Sequence, residues 1–218
     1  MLGLFDSGTG GLNTVKYLKE AALDCDLIYL IDRNNAPYGI KSEKEILEIT
    51  KNNIEVLTGM GAERVLIACC TASTVYNLLP KEYKIVSIPI IDEIAKEAKK
   101  HTRGRIGVIA TERTVSSHAF KAALKGLYVS ELALGKLVTA IDGGLCDDTV
   151  TDADILMIEQ LISPVLTANI DTLILGCTHF PALIRTIGDI ASKYGNIHLI
   201  DSARVGADRL IKRKMKNI

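Results

Sequence analysis

The sequence predicts an α/β fold of two pseudo-symmetric lobes, each a mainly parallel sheet flanked by helices, with the active site in the cleft between them. Three observations predict it. Short apolar runs alternate with helical patterns along all 218 residues, the mark of parallel strands joined by helical crossovers. Two of those runs end alike, in a small residue and then a thiol: Arg64-Val65-Leu66-Ile67-Ala68-Cys69 and Asp171-Thr172-Leu173-Ile174-Leu175-Gly176-Cys177. Finally, Ile106-Gly107-Val108-Ile109-Ala110-Thr111 restarts the pattern of Leu2-Gly3-Leu4-Phe5-Asp6-Ser7. That offset of 104 residues (106 − 2) nearly equals the 108 (177 − 69) between the two thiols. Such self-similarity reads as two related units, and a ligand site between two such units is a common arrangement. The expected lobes are residues 1–92 plus 200–218, carrying Asp6, Tyr38 and Cys69, and residues 93–199, carrying Cys177 and His179.

In chain order, Leu2 to Phe5 is a first strand, followed by the turn Asp6-Ser7-Gly8-Thr9-Gly10-Gly11 and a helix from Leu12 to Ala22. A glycine-rich turn there lets backbone approach an anion closely, but it fits neither common nucleotide-binding pattern. Asp6 reads either as a turn-capping carboxylate or as a base on a neighbour. Leu27 to Ile31 is a second strand, and Pro37, Tyr38 and Gly39 lie in the loop after it. That stretch is either a plain turn or presents a phenol or backbone N–H to a ligand. Ser42 and Glu45 form a capping box for a helix to about Leu57, stopped by Gly59 and Gly61. After the strand ending at Cys69, the Thr71-Ala72-Ser73-Thr74 cluster reads as a helix start, and Pro80 ends the short helix.

Ile85 to Ile88 is read as a strand and Ile91 to Lys100 as a helix, with His101 a solvated residue at its end. After the strand that restarts at Ile106, a helix is expected from Thr114 to Leu124, with His118 on its surface or in its packing. Leu137 to Ile141 reads as a strand leading into the tight turn Asp142-Gly143-Gly144. Thr151 or Asp152 caps a helix to about Leu166. Beyond Cys177, Pro181 opens a helix, Ile197 to Ile200 is a late strand, and Ala203 to Lys214 a last helix with a solvated basic tail.

Composition excludes several classes. Hydrophobic residues make up 48% and charged residues 24%, as in ordinary globular proteins, and the formal net charge is zero. No basic footprint for nucleic acid exists, and no apolar run approaches the roughly 18 residues that a membrane span requires. The start Met1-Leu2-Gly3-Leu4-Phe5 has no basic leader, so a cytoplasmic chain with five reduced thiols is expected. No Cys or His spacing suits zinc. Cys25 is read as a packing residue. Cys146 is read as inert, because Asp147 and Asp148 beside it should raise its pKa.

Two thiols in equivalent places carry the functional argument. A lone strand-end Cys is usually a small buried hydrophobe. A pair facing each other across a cleft can flank one carbon atom, one thiolate taking a proton from one face while the other thiol donates to the opposite face. Backbone N–H groups at the strand ends are expected to lower the thiol pKa values. Stereoinversion of this kind needs no cofactor and no metal. A thiol hydrolase with Cys177 as nucleophile and His179 as base is a second reading, and a binding protein without turnover a third.

Four motifs in order sharpen the choice: Phe5-Asp6-Ser7-Gly8, Pro37-Tyr38-Gly39, Ala68-Cys69-Cys70-Thr71-Ala72-Ser73 and Gly176-Cys177-Thr178-His179-Phe180-Pro181. With them the chain resembles the glutamate racemases of the aspartate/glutamate racemase superfamily over nearly its whole length. The resemblance implies a cofactor-independent interconversion of L- and D-glutamate that supplies D-glutamate for peptidoglycan. It implies Cys69 and Cys177 as the acid/base pair, Asp6 assisting Cys69, and His179 assisting Cys177. Asp6, Ser7, Tyr38, Gly39, Cys70, Thr71, Thr178 and His179 would hold the substrate. Members are often dimers, which leaves a homodimer open. Two positions depart from the pattern: Cys70 stands where Asn is usual, and Asp142 where Glu is common. A thiol is a weak substitute for an amide's donors and acceptor, so substrate orientation is expected to differ. Aspartate or another acidic amino acid, or a binding homologue with impaired turnover, is the alternative.

Overall fold

Val65, Leu66 and Ile67 expose no surface, as a strand covered on both faces of a parallel sheet requires. The computed structural model describes residues 1–21 and 26–215, so Cys25 lies outside the described residues. In order, the elements are β1 (Leu2–Asp6), α1 (Leu12–Glu20), β2 (Leu27–Ile31), α2 (Glu43–Gly59), β3 (Arg64–Ile67), α3 (Cys70–Ser73), α4 (Lys81–Val86), β4 (Ser87–Pro89) and α5 (Ile90–His101). The second half continues with β5 (Arg105–Ala110), α6 (Glu112–Ser116), α7 (Ala119–Ala123), β6 (Tyr128–Ala133), α8 (Gly135–Asp142), α9 (Asp152–Leu166), β7 (Thr172–Gly176), α10 (Ile184–Ser192), β8 (His198–Asp201) and α11 (Ser202–Met215).

The strands form two four-stranded parallel sheets, ordered β2-β1-β3-β4 and β6-β5-β7-β8. Each strand of the first sheet thus has a counterpart in the second, and the sequence restart at Ile106 falls on the counterpart of β1. Registers agree as well: Phe5 pairs with Ile67 on β3, and Ala110 pairs with Gly176 on β7. Both thiol-bearing strands therefore lie beside the strand that opens their own half. One apolar core spans the halves, joining Leu4, Leu66 and Ile88 to Ile106, Val108 and Ile174 through Ile91 and Ile94 of α5 and Leu210 of α11. A shared core of this kind fixes how the two sheets face each other. Truncating wholly buried Ile94 to Ala would cost about 2–5 kcal/mol.

Several expectations need correction. Leu137 to Ile141 lies in helix α8, not in a strand. Of α8 only Leu137 is buried, so the β-branched residues decorate an amphipathic helix. The real strand is β6, where Ser130 and Glu131 interrupt the apolar run. Residues 85 and 86 end helix α4, and the strand begins at Ser87; Ile85 is 58% exposed, unlike a core strand residue. The helix expected over 114–124 is two short helices, because His118 has φ of 54°. The Ser117 hydroxyl donates to Thr114 O and accepts from Ala119 N, competing with the helical ladder. His101 is not merely solvated: its ring stacks on His198 with centroids 4.2 Å apart, and it meets Glu97 at 3.1 Å.

Candidate active site

Parallel sheets gather their strand ends on one side, where open α/β sheets bind ligands. Here the carboxyl ends of β1, β3, β5 and β7 do so from both halves, enclosing a cavity of about 300 Å³. Cys69 and Cys177 both line it, and they are only 5% and 6% exposed. Ser7, Tyr38, Gly39, Cys70, Thr71, Thr178 and His179 line it too. Asp6 does not; it is wholly buried behind the wall.

Asp6 organises that wall. Its carboxylate accepts from Ser7 N at 2.9 Å, Gly11 N at 2.6 Å and the Thr178 hydroxyl at 2.9 Å. The last bond joins the two halves, and Asn13 adds another by donating to Thr178 O at 3.0 Å. The glycine loop makes this approach possible: a Cβ on Gly10 would stand 2.8 Å from the Thr178 carbonyl carbon. Burial raises the Asp6 pKa, opposed by His179 and by the bonds from Thr178, Ser7 and Gly11.

The two thiols have different neighbours. Cys69 Sγ is 3.6 Å from the Ser7 hydroxyl. Burial pushes the Cys69 thiol up to about 12 and the Asp6 carboxylate adds to this, against the lowering by Ala72 N–H and Ser7. Cys177 Sγ lies 3.5 Å from His179 Nδ1. Burial raises its pKa strongly as well, with the His179 backbone N–H opposing. The expectation that strand-end N–H groups would leave low-pKa thiols is thus overturned: the groups are there, but desolvation outweighs them. Cys70 is also buried, and burial followed by the proximity of Cys177 holds its pKa well above the usual value.

Behind His179 stands Asp142, whose Oδ1 is 2.9 Å from His179 Nε2. The pair is within ion-pair range, yet Nε2 has no hydrogen-bond partner, so the contact is a close charge approach with poor alignment. Tyr38 directs its hydroxyl away from the cavity, donating to Asp32 at 2.5 Å and accepting from Asn53 at 2.9 Å; only its ring and backbone remain for a ligand. Burial works against ionised Asp32, but hydrogen bonds from Tyr38, Asn35 and Asn53 hold its pKa below the usual carboxylate range. The Thr71 hydroxyl forms a ring with Thr111 at 2.9 Å and Thr114 at 3.1 Å, a further bond between the halves.

Cys146 lies off this cavity, and its pKa moves opposite to expectation. The Thr149 hydroxyl and the Asp148 backbone N–H hold the thiol below its usual value, and the Asp148 charge is a smaller opposing effect. Sequence reasoning also missed Thr111, Glu112, Gly135 and Thr139, which line the cavity. A signal existed for Thr111, which follows β5 where Ser7 follows β1. The others lie on or beside α8, whose helical character went unread.

Comparison with known proteins agrees with this geometry. The sequence pattern of the Asp/Glu/Hydantoin racemase family matches residues 13–210. A glutamate racemase of Aquifex aeolicus is 35% identical over 214 residues, 96% of this chain and 81% of that protein. The crystal structure of a glutamate racemase isoform from Bacillus anthracis superposes with a TM-score of 0.85 at 28% identity, covering 100% of this chain and 82% of that one. Glutamate racemase from Francisella tularensis, solved in complex with D-glutamate, gives 0.84 at 28% identity, covering 99% and 81%. With its paired sheets, its two cavity thiols and this similarity along its length, the chain belongs to the Asp/Glu/Hydantoin racemase family.

Proposed function

We propose that the protein is an isomerase that interconverts L- and D-glutamate by proton transfer at the α-carbon, the D-enantiomer going to peptidoglycan. The observation that carries this reading is that Cys69 and Cys177, from equivalent strands of two facing sheets, line one small cavity. On this reading the lobes are residues 1–92 plus 200–218 and residues 93–199, and α11 packing against α1 supports returning the C-terminal segment to the first.

The chemistry follows from the two environments. His179 Nδ1 beside Cys177 Sγ offers an acceptor for the thiol proton, and Asp142 stabilises the resulting imidazolium. The thiolate then takes the α-proton from the face turned toward it. Cys69, still protonated, delivers its proton to the opposite face, leaving inverted product and exchanged roles. The reverse direction starts from Cys69 as thiolate. Asp6 acts as a positioning residue, holding Ser7 beside Cys69 and Thr178 beside Cys177. Ser7, Thr71, Thr178 and the Tyr38-Gly39 backbone orient the substrate, and Cys70 contributes a weak donor next to both reactive thiols. Water exclusion strengthens fixed dipoles acting on the carbanion.

The test is circular dichroism of L- and D-glutamate, then of aspartate, incubated with reduced protein. Glutamate signals from both enantiomers should decay to zero. Unchanged glutamate signals would overturn the proposal, and decay confined to aspartate would reassign the substrate.

A further inference from the structure

The turn after Cys177 has a gap in its own hydrogen bonding. Phe180 N–H donates to Cys177 O at 3.2 Å, and Ala182 N–H donates to His179 O at 3.0 Å. By the same spacing Thr178 O would take the N–H of residue 181, but that residue is proline and has none. Thr178 is only 3% exposed, so its carbonyl needs a partner. The donor comes from the other half of the molecule: Asn13, on α1, gives its Nδ2 to Thr178 O at 3.0 Å. Asn13 does not line the cavity that holds the two thiols. It lines a separate cavity of about 270 Å³, next to Pro181 and Ala182, and so meets the reaction through Thr178 rather than by touching substrate.

A trans peptide unit is planar, and its C=O and N–H point opposite ways. Holding Thr178 O therefore also aims the N–H of His179, the donor that opposes burial at Cys177 by favouring its thiolate. The same turn carries the His179 ring, whose Nδ1 is 3.5 Å from Cys177 Sγ. Asp6 accepts the Thr178 hydroxyl at 2.9 Å, so the side chain and backbone of Thr178 are both gripped from the first half. Cys69 differs: the donors that favour its thiolate, Ala72 N–H and Ser7, belong to its own half. We propose that Asn13 is a positioning residue: its amide replaces the N–H that Pro181 lacks, and so holds the Thr178–His179 peptide with its N–H on the Cys177 sulfur. One thiol, and not the other, is thereby tied to the way the two halves meet. The share of Asn13 in turnover rests on the racemase reading; its effect on the thiol does not.

Asn13→Leu keeps the size of the side chain and removes the donor. The readout is alkylation of ligand-free protein by iodoacetamide at about pH 8.5, where each thiol reacts in proportion to its thiolate fraction, followed at Cys69 and Cys177 separately by peptide mass spectrometry. Both thiols line one cavity, so a change in access moves them together, whereas loss of the aimed N–H slows Cys177 alone. The ratio of the Cys177 rate to the Cys69 rate should fall by about threefold to tenfold, the worth of one hydrogen bond. For either enantiomer of glutamate, kcat should fall by a similar factor while KM stays within about twofold. Asn13→Ala removes the same donor and serves if the Leu variant folds poorly. Adding Pro181→Ala puts an N–H back at residue 181 and should return the ratio to within about twofold of the natural protein, a recovery that general loosening would not show. An unchanged ratio, both thiols slowing together, kcat unmoved while the ratio falls, or no recovery in the double variant overturns the proposal. A ratio that falls and recovers as described, in a natural protein that racemises neither enantiomer, leaves the Asn13 role at the thiol standing and overturns the racemase reading instead.

Discussion

Cys69 and Cys177 occupy the same place in two halves of one molecule, yet only one of them touches a base. Both follow a central parallel strand, and burial raises the pKa of both. Cys177 has the His179 ring at 3.5 Å with Asp142 behind it, whereas Cys69 has the Ser7 hydroxyl at 3.6 Å and a buried carboxylate nearby. Duplicated topology places two sulfurs symmetrically, and unlike neighbours let one start as base and the other as acid. A symmetric pair of equally poised thiols would have no preferred protonation state from which to begin.

The largest effect that breaks this comparison is loss of either sulfur. Cys69→Ser and Cys177→Ser should each lower the racemisation rate by about 10³-fold or more, near the upper range for a positioned acid or base. Polarimetry checks this, and turnover surviving in either variant would remove the need for two thiols. Next comes the base contact itself. His179→Asn should lower kcat/KM by about 10²-fold and move its rise with pH to more alkaline values. Because the two enantiomers have equal free energy, the loss must be the same in both directions. Asp142→Asn should do less, about threefold to tenfold, since that carboxylate is half exposed and its attraction is screened by water.

The shared burial of the thiols has a consequence for pH. Each holds its proton more firmly in the fold than in the unfolded chain, where thiols titrate near pH 8.5. Above that value the unfolded state binds fewer protons than the native one, so stability falls as pH rises, for Cys69 until about pH 12. Thermal melts of ligand-free protein should show Tm declining above about pH 8.5, and the decline should be shallower in Cys69→Ser. The smallest effect on activity is expected from Tyr38→Phe. Its hydroxyl serves Asp32 and Asn53 and not the cavity, so stability should drop by about 1.5–3 kcal/mol, with kcat/KM changed by about twofold or less.

Much of this arrangement was legible before any coordinates. Cys69, Cys177, Thr178 and His179 announce themselves because apolar runs such as Val65 to Ile67 end abruptly in small and polar residues, a break that local pattern records. The β1/β5 restart likewise predicted equivalent strands in the two sheets. What escaped depended on three-dimensional neighbours. Leu137 to Ile141 has the composition of a strand, and only packing of Leu137 against one side makes it a helix; with that helix misread, Glu112, Gly135 and Thr139 had no reason to share a cavity. The thiol pKa values escaped for the same reason. Backbone donors are predictable from a strand end, but the depth of burial that outweighs them is a property of the whole fold.

The most direct test follows the hydrogen at the α-carbon in D₂O. With either enantiomer of glutamate as substrate, early aliquots are separated and examined by proton NMR. Transfer between two thiols on opposite faces predicts that inverted product carries deuterium while recovered substrate keeps its original hydrogen, in both directions. Product that retains the original hydrogen, or substrate that exchanges as fast as product forms, would mean that one group serves both faces, and would contradict the two-thiol site.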